Sequence, residues 1–206
     1  MAATGFPDPA ETHQKTIEPK RRLLAAAIDY LAEHGIGDIS LRKLATALGT
    51  SHRMLIYHFG SKGALLADVV RTVEQRQREL LAELQLDPGA TPQEVARRYW
   101  QRVADPAMWP FGRLLFELYG RALQGDPQAA PLLDGIVERW LEPVAEWSLR
   151  HGVGQPTARA HARLAVAVTQ GLLLDLLGTG DREAVEDAME LFLTMSEPRA
   201  GTAGAS

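Results

Sequence analysis

The chain has 206 residues, a net charge of −4 and no cysteine. The missing cysteine excludes disulfides, thiol redox sensing and cysteine-ligated metal, and the length suits one small domain followed by a larger one. Charge is unevenly distributed, because residues 18–62 hold seven Lys/Arg against four Asp/Glu, a net of +3, whereas residues 63–206 have a net of −6. An acidic chain that concentrates positive charge in one segment is expected to bind a polyanion there.

The sequence predicts neither a membrane-spanning helix nor a signal peptide. No run approaches the roughly 18 apolar residues of a membrane span, and residues 1–18 lack the apolar core of a signal peptide. We therefore expect a cytoplasmic protein. Residues 1–17 and 198–206 are predicted to be disordered tails, because they combine Pro, Gly and small polar residues without an apolar repeat.

Short helices joined by tight turns are predicted for residues 20–66. Ser40, Ser51 and Ser61 each precede an apolar repeat and are suitable N-caps, for helices over about 41–48 and 52–58 and a long helix over about 61–86. A further helix precedes them and closes at His34-Gly35, and Gly49 lies at the turn between the two short ones. A helix that reads bases must be held by a second helix across a tight turn. Residues 18–62 are therefore predicted to form a helix-turn-helix DNA-binding domain.

The DNA-binding residues are predicted from what each group can do. Basic and capping groups near helix N-termini suit phosphate oxygens, whereas His52 and Arg53 open the third helix, where side chains reach base edges. The predicted set is Ser40, Arg42, Lys43, Thr50, Ser51, His52, Arg53, Met54, Tyr57, His58 and Lys62.

Two members of this set have open alternatives. Met54, like Tyr57, would contact thymine methyl groups, or else lie partly in the core. His58 either contacts DNA or packs the turn beside Phe59, which is assigned to the core with Leu55.

A pattern of glycine, capping, apolar and aromatic residues runs from the turn before the third helix into the fourth. It consists of Gly49, Ser51, Leu55, His58, Phe59, Ser61, Lys62 and Leu65. At their spacing the chain resembles the tetracycline-repressor (TetR) family of one-component bacterial regulators. One position departs from the family pattern, since Ile56 stands where the family usually has a Tyr that contacts phosphate, and Tyr57 occupies the variable position beside it. Either Tyr57 takes over that contact or the contact is absent.

Helices punctuated by Pro and Gly are predicted beyond residue 86, with no alternating strand pattern. The fifth helix spans about 92–104, the sixth ends near 124–125, and Pro127 or Pro131 opens a seventh that runs to 151–152 with Pro143 as a kink. The eighth runs from Pro156 to Gly178, and Asp181 caps a ninth. The prediction is an all-α protein of about nine helices, with residues 63–197 as an effector-binding and dimerisation domain.

Apolar stripes on the eighth and ninth helices predict a two-fold four-helix interface, as the resemblance also implies, or else cover only the protein's own core. The predicted interface residues are Leu164, Ala167, Val168, Gly171, Leu172, Val185, Ala188, Met189 and Phe192. Two copies would read a palindromic operator in double-stranded DNA.

Large aromatic residues concentrate in the second domain, where the resemblance places an effector. They are either ordinary core or the lining of a pocket for an apolar or aromatic small molecule. The predicted pocket residues are Trp100, Trp109, Phe116, Tyr119, Trp140 and Trp147. Polar anchors are proposed at Arg97, Gln101, Tyr119 and Gln170, and Glu117 with Arg121 is interpreted as a helix-surface pair.

The sequence predicts no enzyme, no metal site and no cofactor, because its histidines have no metal-ligand spacing and neither a nucleophile turn nor a P-loop is present. By resemblance, the protein would be a regulator, most simply a repressor, whose effector shifts the fourth helix and changes the spacing of the two recognition helices. The alternative is a helical small-molecule binding or adaptor protein that has lost DNA binding, and Ile56 is the feature that favours it.

Overall fold

The computed structural model describes residues 9–151 and 154–196, and within these ranges all long elements are α-helices, with no strand. The nine helices are α1 Pro9–His34, α2 Leu41–Ala47, α3 His52–Phe59, α4 Lys62–Leu84, α5 Pro92–Val103, α6 Trp109–Leu123, α7 Glu138–Arg150, α8 Gln155–Thr179 and α9 Arg182–Met195. The predicted all-α class is confirmed.

Side-chain caps set the starts of the short helices as the sequence predicts. The hydroxyl of Ser40 accepts the Lys43 N–H at 3.2 Å, and that of Ser51 accepts the Met54 N–H at 3.2 Å. Each bond satisfies a backbone donor that has no partner within its own helix. Gly49 makes the turn between α2 and α3 with a φ of +64°, a conformation that side chains disfavour.

Two helix starts differ from the predictions. α1 begins at Pro9, so residues 9–17 are helical instead of a disordered tail, whereas residues 1–8 and 197–206 lie outside the described part. A proline fits the first turn of a helix because no donor is needed there. α7 begins only at Glu138, since a short 3₁₀ turn over Ala130–Leu133 and Gly135, at a φ of +63°, interrupt the helical path.

The chain forms two compact units, and the first comprises the residues through Val73 together with Glu117–Leu132. Its core is built from the facing sides of α1 to α4, with Ala27, Ile28, Leu31, Leu44, Leu55, Leu65, Val69 and Val70 almost completely buried. The division differs from the boundary predicted at residue 62. The reason is that the first half of α4 supplies core residues to this unit.

Glu117 and Arg121 hold the loop between α1 and α2. The Ile36 and Gly37 N–H groups donate to the two carboxylate oxygens of Glu117, at 3.0 and 3.2 Å, and Arg121 donates to the Gly37 carbonyl at 2.8 Å. The predicted i,i+4 pair is present at 3.1 Å. Because the same carboxylate also binds backbone donors 80 residues away, the pair is more than a surface contact.

A second close approach in this unit involves Gly63 in the first turn of α4. A Cβ placed on Gly63 would lie 2.9 Å from the carbonyl oxygen of Gln128, which is closer than real Cβ contacts allow. The glycine therefore lets backbone pack directly against backbone.

The second unit comprises Glu74–Phe116 and the described residues from Leu133 onward. One buried cluster joins α5, α8 and α9 through Trp100, Val103, Leu176, Val185, Met189 and Leu193. A buried ion pair also lies in this unit, where Glu74, with no exposed side-chain surface, accepts from Arg139 at 3.2 Å and lies 3.6 Å from Arg78.

α8 corrects the expectation that no segment resembles a membrane span. Within the described residues, Thr157–Thr179 is long and apolar enough by length and composition alone. The reason is visible in the sequence, where Ala, Val and Leu predominate and charged residues are few. Leu164 and Leu174 on this helix are more than half exposed, at 53% and 54%.

Candidate DNA-binding surface and ligand cavity

α3 has one buried and one exposed face. Leu55 and Phe59 are 0% and 6% exposed, so their assignment to the core is confirmed. His52 and Arg53 lie on the exposed side, and Tyr57 is 67% exposed. Met54 is 39% exposed, which favours an outward position over the core alternative. The helix therefore presents a continuous side-chain surface to solvent.

The basic residues of this surface have no acidic partner in the described part of the chain. Arg42, Lys43 and Arg53 are exposed and Lys62 is half-buried, and none of the four is in an ion pair. Elsewhere seven arginines, from Arg71 to Arg182, are paired with carboxylates. Unpaired charge on the helix-turn-helix is available for phosphate groups.

Lys20 is basic but is not part of this surface. Its Nζ lies 3.0 Å from the carboxylate of Asp68 and 5.4 Å from the centre of the Phe59 ring. Burial alone would raise the pKa of Asp68, but hydrogen bonds from Arg71 and Lys20, with their charges, hold that pKa below its ordinary value. Lys20 therefore links α1 to α4 and would contribute less to DNA binding than the charge count suggests.

The remaining predicted contacts divide between surface and packing. Ser40 and Ser51 are exposed caps, and Thr50 is half-buried in the turn. The His58 ring makes edge contacts with Tyr57 and Phe59, at centroid distances of 4.9 and 6.3 Å, and its Nε2 is buried without a partner. This geometry favours the packing interpretation of His58. Ile56 is 39% exposed, so a side chain at the family's Tyr position faces outward.

Five helices of the second unit line a partly open cavity of about 160 Å³. Its lining is mainly apolar and includes Tyr99 of α5, Trp140 and Trp147 of α7 and His161 of α8. The Tyr99 and Trp140 rings lie 6.3 Å apart, centre to centre. Burial raises the pKa of Tyr99 far above its ordinary value, so its hydroxyl stays neutral.

The cavity selects only part of the predicted pocket set. Trp140 and Trp147 line it, whereas Trp100 belongs to the adjacent buried cluster and Trp109 donates its indole N–H to the Ala104 carbonyl at 3.0 Å. Phe116 is absent from the lining. Tyr119 belongs to the first unit. These four residues lie outside the lining of this cavity, and their role as ligand contacts stays a prediction.

Sequence reasoning also missed lining residues, and three of its four proposed anchors, Arg97, Gln101 and Tyr119, lie outside the lining. Tyr99 and His161 were not predicted, although the 4,4 spacing of Val95, Tyr99 and Val103 places all three on one face of α5. Gln170 does line the cavity. Arg97 does not, because its guanidinium pairs with both carboxylate oxygens of exposed Glu190, at 2.6 and 2.7 Å.

The predicted dimer residues divide by helix. On α8, Leu164, Ala167 and Gly171 are exposed, and Val168 and Leu172 are half-buried. On α9, Val185 and Met189 are 1% and 3% exposed and belong to the unit's own core, so their assignment to an interface is wrong. Ala188 and Phe192 are half-buried, and Phe192 also lines the cavity. Leu191 and Met195, which were not predicted, are the exposed large residues of α9.

These features define the class of the protein. A short supporting helix, a turn built on a left-handed glycine and an outward-facing third helix with unpaired basic side chains constitute a helix-turn-helix DNA-binding domain.

Comparison with known proteins shows which family the DNA-binding domain is similar to. The model of the family described as "Bacterial regulatory proteins, tetR family" matches residues 23–69. The regulator BetI of Stenotrophomonas maltophilia is 29% identical over 86 residues, which are 41% of this chain and 44% of that protein. The chain thus matches less than half the length of its curated relatives.

Solved structures extend the likeness to nearly the whole chain. A transcriptional regulator from Rhodococcus sp. Rha1 has a TM-score of 0.72 and 25% identity, covering 85% of this chain and 94% of that one. The multidrug binding protein EbrR, complexed with imidazole, has a TM-score of 0.65 and 24% identity, covering 98% and 100%. The chain is therefore similar to the tetR family of bacterial regulatory proteins in its helix-turn-helix residues 23–69, and its fold is similar to that of solved transcriptional regulators.

Proposed function

We propose that the protein is a cytoplasmic, homodimeric transcriptional repressor that binds a palindromic operator and is released by a small molecule. The observation that carries this proposal is the exposed face of α3 beside four unpaired basic residues, Arg42, Lys43, Arg53 and Lys62. An acidic chain keeps unpaired positive charge on this surface, where it lowers the free energy of binding a phosphate backbone.

Within this surface, positioning and reading are separate tasks. Lys43 and Lys62 lie in the first turns of α2 and α4, where side chain and helix N-terminus together attract phosphate oxygens. His52 and Arg53 occupy the first turn of α3, and an arginine there pairs with both acceptors of a guanine edge. The lysines would fix the register of the protein, and the α3 residues would select the sequence.

Dimerisation is proposed through the exposed apolar face of α8 and α9. Leu164, Leu174, Leu191 and Met195 are between 53% and 76% exposed, which is costly for large apolar side chains unless a second copy covers them. Coverage of this face would also explain why α8 is apolar enough to resemble a membrane span.

Gly171 gives a direct test of this interface. A Cβ on Gly171 meets no atom within 4 Å in its own protomer, so Gly171→Leu is accommodated there and would obstruct only a partner. Gly120, another helical glycine with open space, supplies the matched control, Gly120→Leu. Sedimentation should show weakened dimerisation for Gly171→Leu alone, and two equally dimeric variants would move the interface elsewhere.

The effector is proposed to occupy the cavity lined by α4, α5, α7, α8 and α9, and α4 continues from it along the chain into the DNA-binding unit. α4 contributes Gln77, Leu81 and Gln85 to the lining and continues along the chain into the first unit. The structural relative EbrR was solved with imidazole, which agrees with a small ring as the kind of molecule bound. The effector must bind the DNA-incompetent state more tightly than the competent one.

Selection from a random duplex library at moderate salt tests the function. An enriched palindrome, bound with an affinity that falls steeply as salt rises, is the expected result. A folded dimer that enriches no sequence and binds duplex without salt dependence would overturn the proposal.

That outcome would favour the second candidate, a helical small-molecule binding protein without DNA function. The exposed Ile56, where the family has a Tyr, is the observation that supports this candidate.

A further inference from the structure

We propose that the cavity takes an uncharged molecule of about one substituted ring, carrying a hydroxyl or amide group that bonds to His161 and Trp147. The inference deepens the proposed function, since it names the chemical class of the effector. Three properties of the cavity support it, namely its volume, the absence of charged groups in its lining and its unpaired nitrogen atoms.

Volume sets the size of the ligand. The cavity measures about 160 Å³. An apolar cavity of about 150 Å³ admits benzene, whereas sites for drug-sized ligands span roughly 300–1,000 Å³. A single ring with a small substituent therefore fills this space, and a multi-ring compound would extend beyond it through the open side.

The absence of charged residues in the lining disfavours an ionic ligand. None of the lining residues is Asp, Glu, Lys or Arg, so a buried ion would have no counter-charge. The aromatic faces that would otherwise attract a cation already have guanidinium neighbours, since Arg78 lies 5.8 Å from the Trp140 ring centre and Arg150 lies 5.3 Å from that of Trp147. The nearby carboxylate of Glu74 is paired with Arg78 and Arg139 and offers no free negative charge.

The polar anchors are nitrogen atoms that the protein itself leaves unpaired. Both ring nitrogens of His161 and the Nε1 of Trp147 are buried without a hydrogen-bond partner in the described chain. A neutral histidine has one donor and one acceptor, and an indole has one donor. A hydroxyl or amide both donates and accepts, and it therefore pairs with either tautomer of His161.

Two other polar groups in this region are less suitable as anchors. The Ser148 hydroxyl already donates to the Val144 carbonyl at 2.9 Å. The unpaired indole nitrogen of Trp100 is outside the lining. Among the described residues of the lining, His161 and Trp147 are thus the ones whose buried side-chain nitrogens have no hydrogen-bond partner.

Four single-ring probes separate these properties by calorimetric titration of the full chain. Phenol has ring and hydroxyl, toluene has ring and methyl, benzoate is an anion and benzyltrimethylammonium is a cation. We expect phenol to bind about three- to tenfold more tightly than toluene, as one or two neutral hydrogen bonds allow, and both ions at least tenfold more weakly than phenol. Tighter binding of either ion would overturn the charge argument.

His161→Leu tests the anchor and Ala165→Phe tests the location. His161→Leu should remove the preference for phenol over toluene while toluene still binds, and a retained preference would contradict the role of His161. Ala165 lines the cavity, so Ala165→Phe should abolish binding of both probes. His34→Leu, at an exposed histidine of α1, is the matched control and should change neither affinity.

The DNA experiment remains independent of these titrations. Absence of phenol and toluene binding in a protein that still selects an operator would overturn the ligand class and leave the proposed DNA function intact. Binding that follows the predicted order, in a protein that selects no operator, would support the cavity assignment and contradict the regulatory function.

Discussion

The helix-turn-helix and the ligand cavity are constructed in opposite ways. The DNA-binding surface is formed by consecutive residues, about twenty of them, with each helix start set by its own N-cap serine. The cavity draws its lining from five helices spread between Gln77 and Leu193. Local hydrogen bonds determine the first arrangement, and long-range packing determines the second. Substitutions should therefore act locally at the DNA surface and cooperatively around the cavity.

Removal of the Glu74 carboxylate should have the largest effect on folding. Glu74→Ala leaves Arg139 and Arg78 without their buried counter-charge, and the loss of one partner of a buried ion pair costs about 3–5 kcal/mol. Urea unfolding of the full chain measures the change. Glu142→Ala, at an exposed carboxylate of α7, is the control and should alter stability by less than about 0.5 kcal/mol. Equal effects for the two variants would contradict the packing account of the second unit.

The matched pair Gly63→Ala and Gly120→Ala examines backbone packing in the first unit. At Gly63 the new Cβ would collide with the Gln128 carbonyl, whereas at Gly120 it meets open space. We expect Gly63→Ala to destabilise by about 1–3 kcal/mol, as overpacking does. Gly120→Ala should stabilise by about 0.5–1 kcal/mol through helix propensity. Thermal unfolding measures both changes in stability. If both variants were destabilised, or both stabilised, the described packing of α4 would be contradicted.

Ile56→Tyr should tighten DNA binding by about three- to tenfold. The position is 39% exposed, so a Tyr hydroxyl there can donate to a phosphate, which we expect to contribute about 1 kcal/mol. Tyr57 points about 100° away around α3, and Tyr57→Phe should leave affinity nearly unchanged. Anisotropy titrations with labelled operator measure both. Weaker binding by Tyr57→Phe, together with no gain from Ile56→Tyr, would show that Tyr57 supplies the contact.

The sequence predicted the locally determined DNA-binding surface better than the cavity, which depends on long-range packing. The serine caps, the Gly49 turn and the buried Leu55 and Phe59 were predictable because each depends on neighbours within about four residues. The cavity was not, because a Trp at helical spacing is equally compatible with core and lining. In the sequence, Trp100 and Trp140 look alike, since each is a Trp on an apolar helix face. Only the packing of α8 and α9 places Trp100 in the buried cluster and Trp140 beside the cavity.

The interface residues show a related limit. The stripe on α9 was correctly recognised as apolar, but its most buried members, Val185 and Met189, face the protein's own core. Leu191 and Met195 lie on the exposed side of the same helix. A helix with apolar residues on two faces does not reveal from sequence which face meets a partner.

The central claim is that α3 reads base sequence while the neighbouring basic residues hold phosphates. Its most direct test compares the wild type with a His52→Ala, Arg53→Ala double variant on the enriched operator and on a scrambled duplex, over a range of salt concentrations. The account predicts that the variant loses the affinity difference between the two duplexes while it keeps a steep salt dependence, since Lys43 and Lys62 remain. A double variant that still prefers the operator by the wild-type factor would contradict the claim.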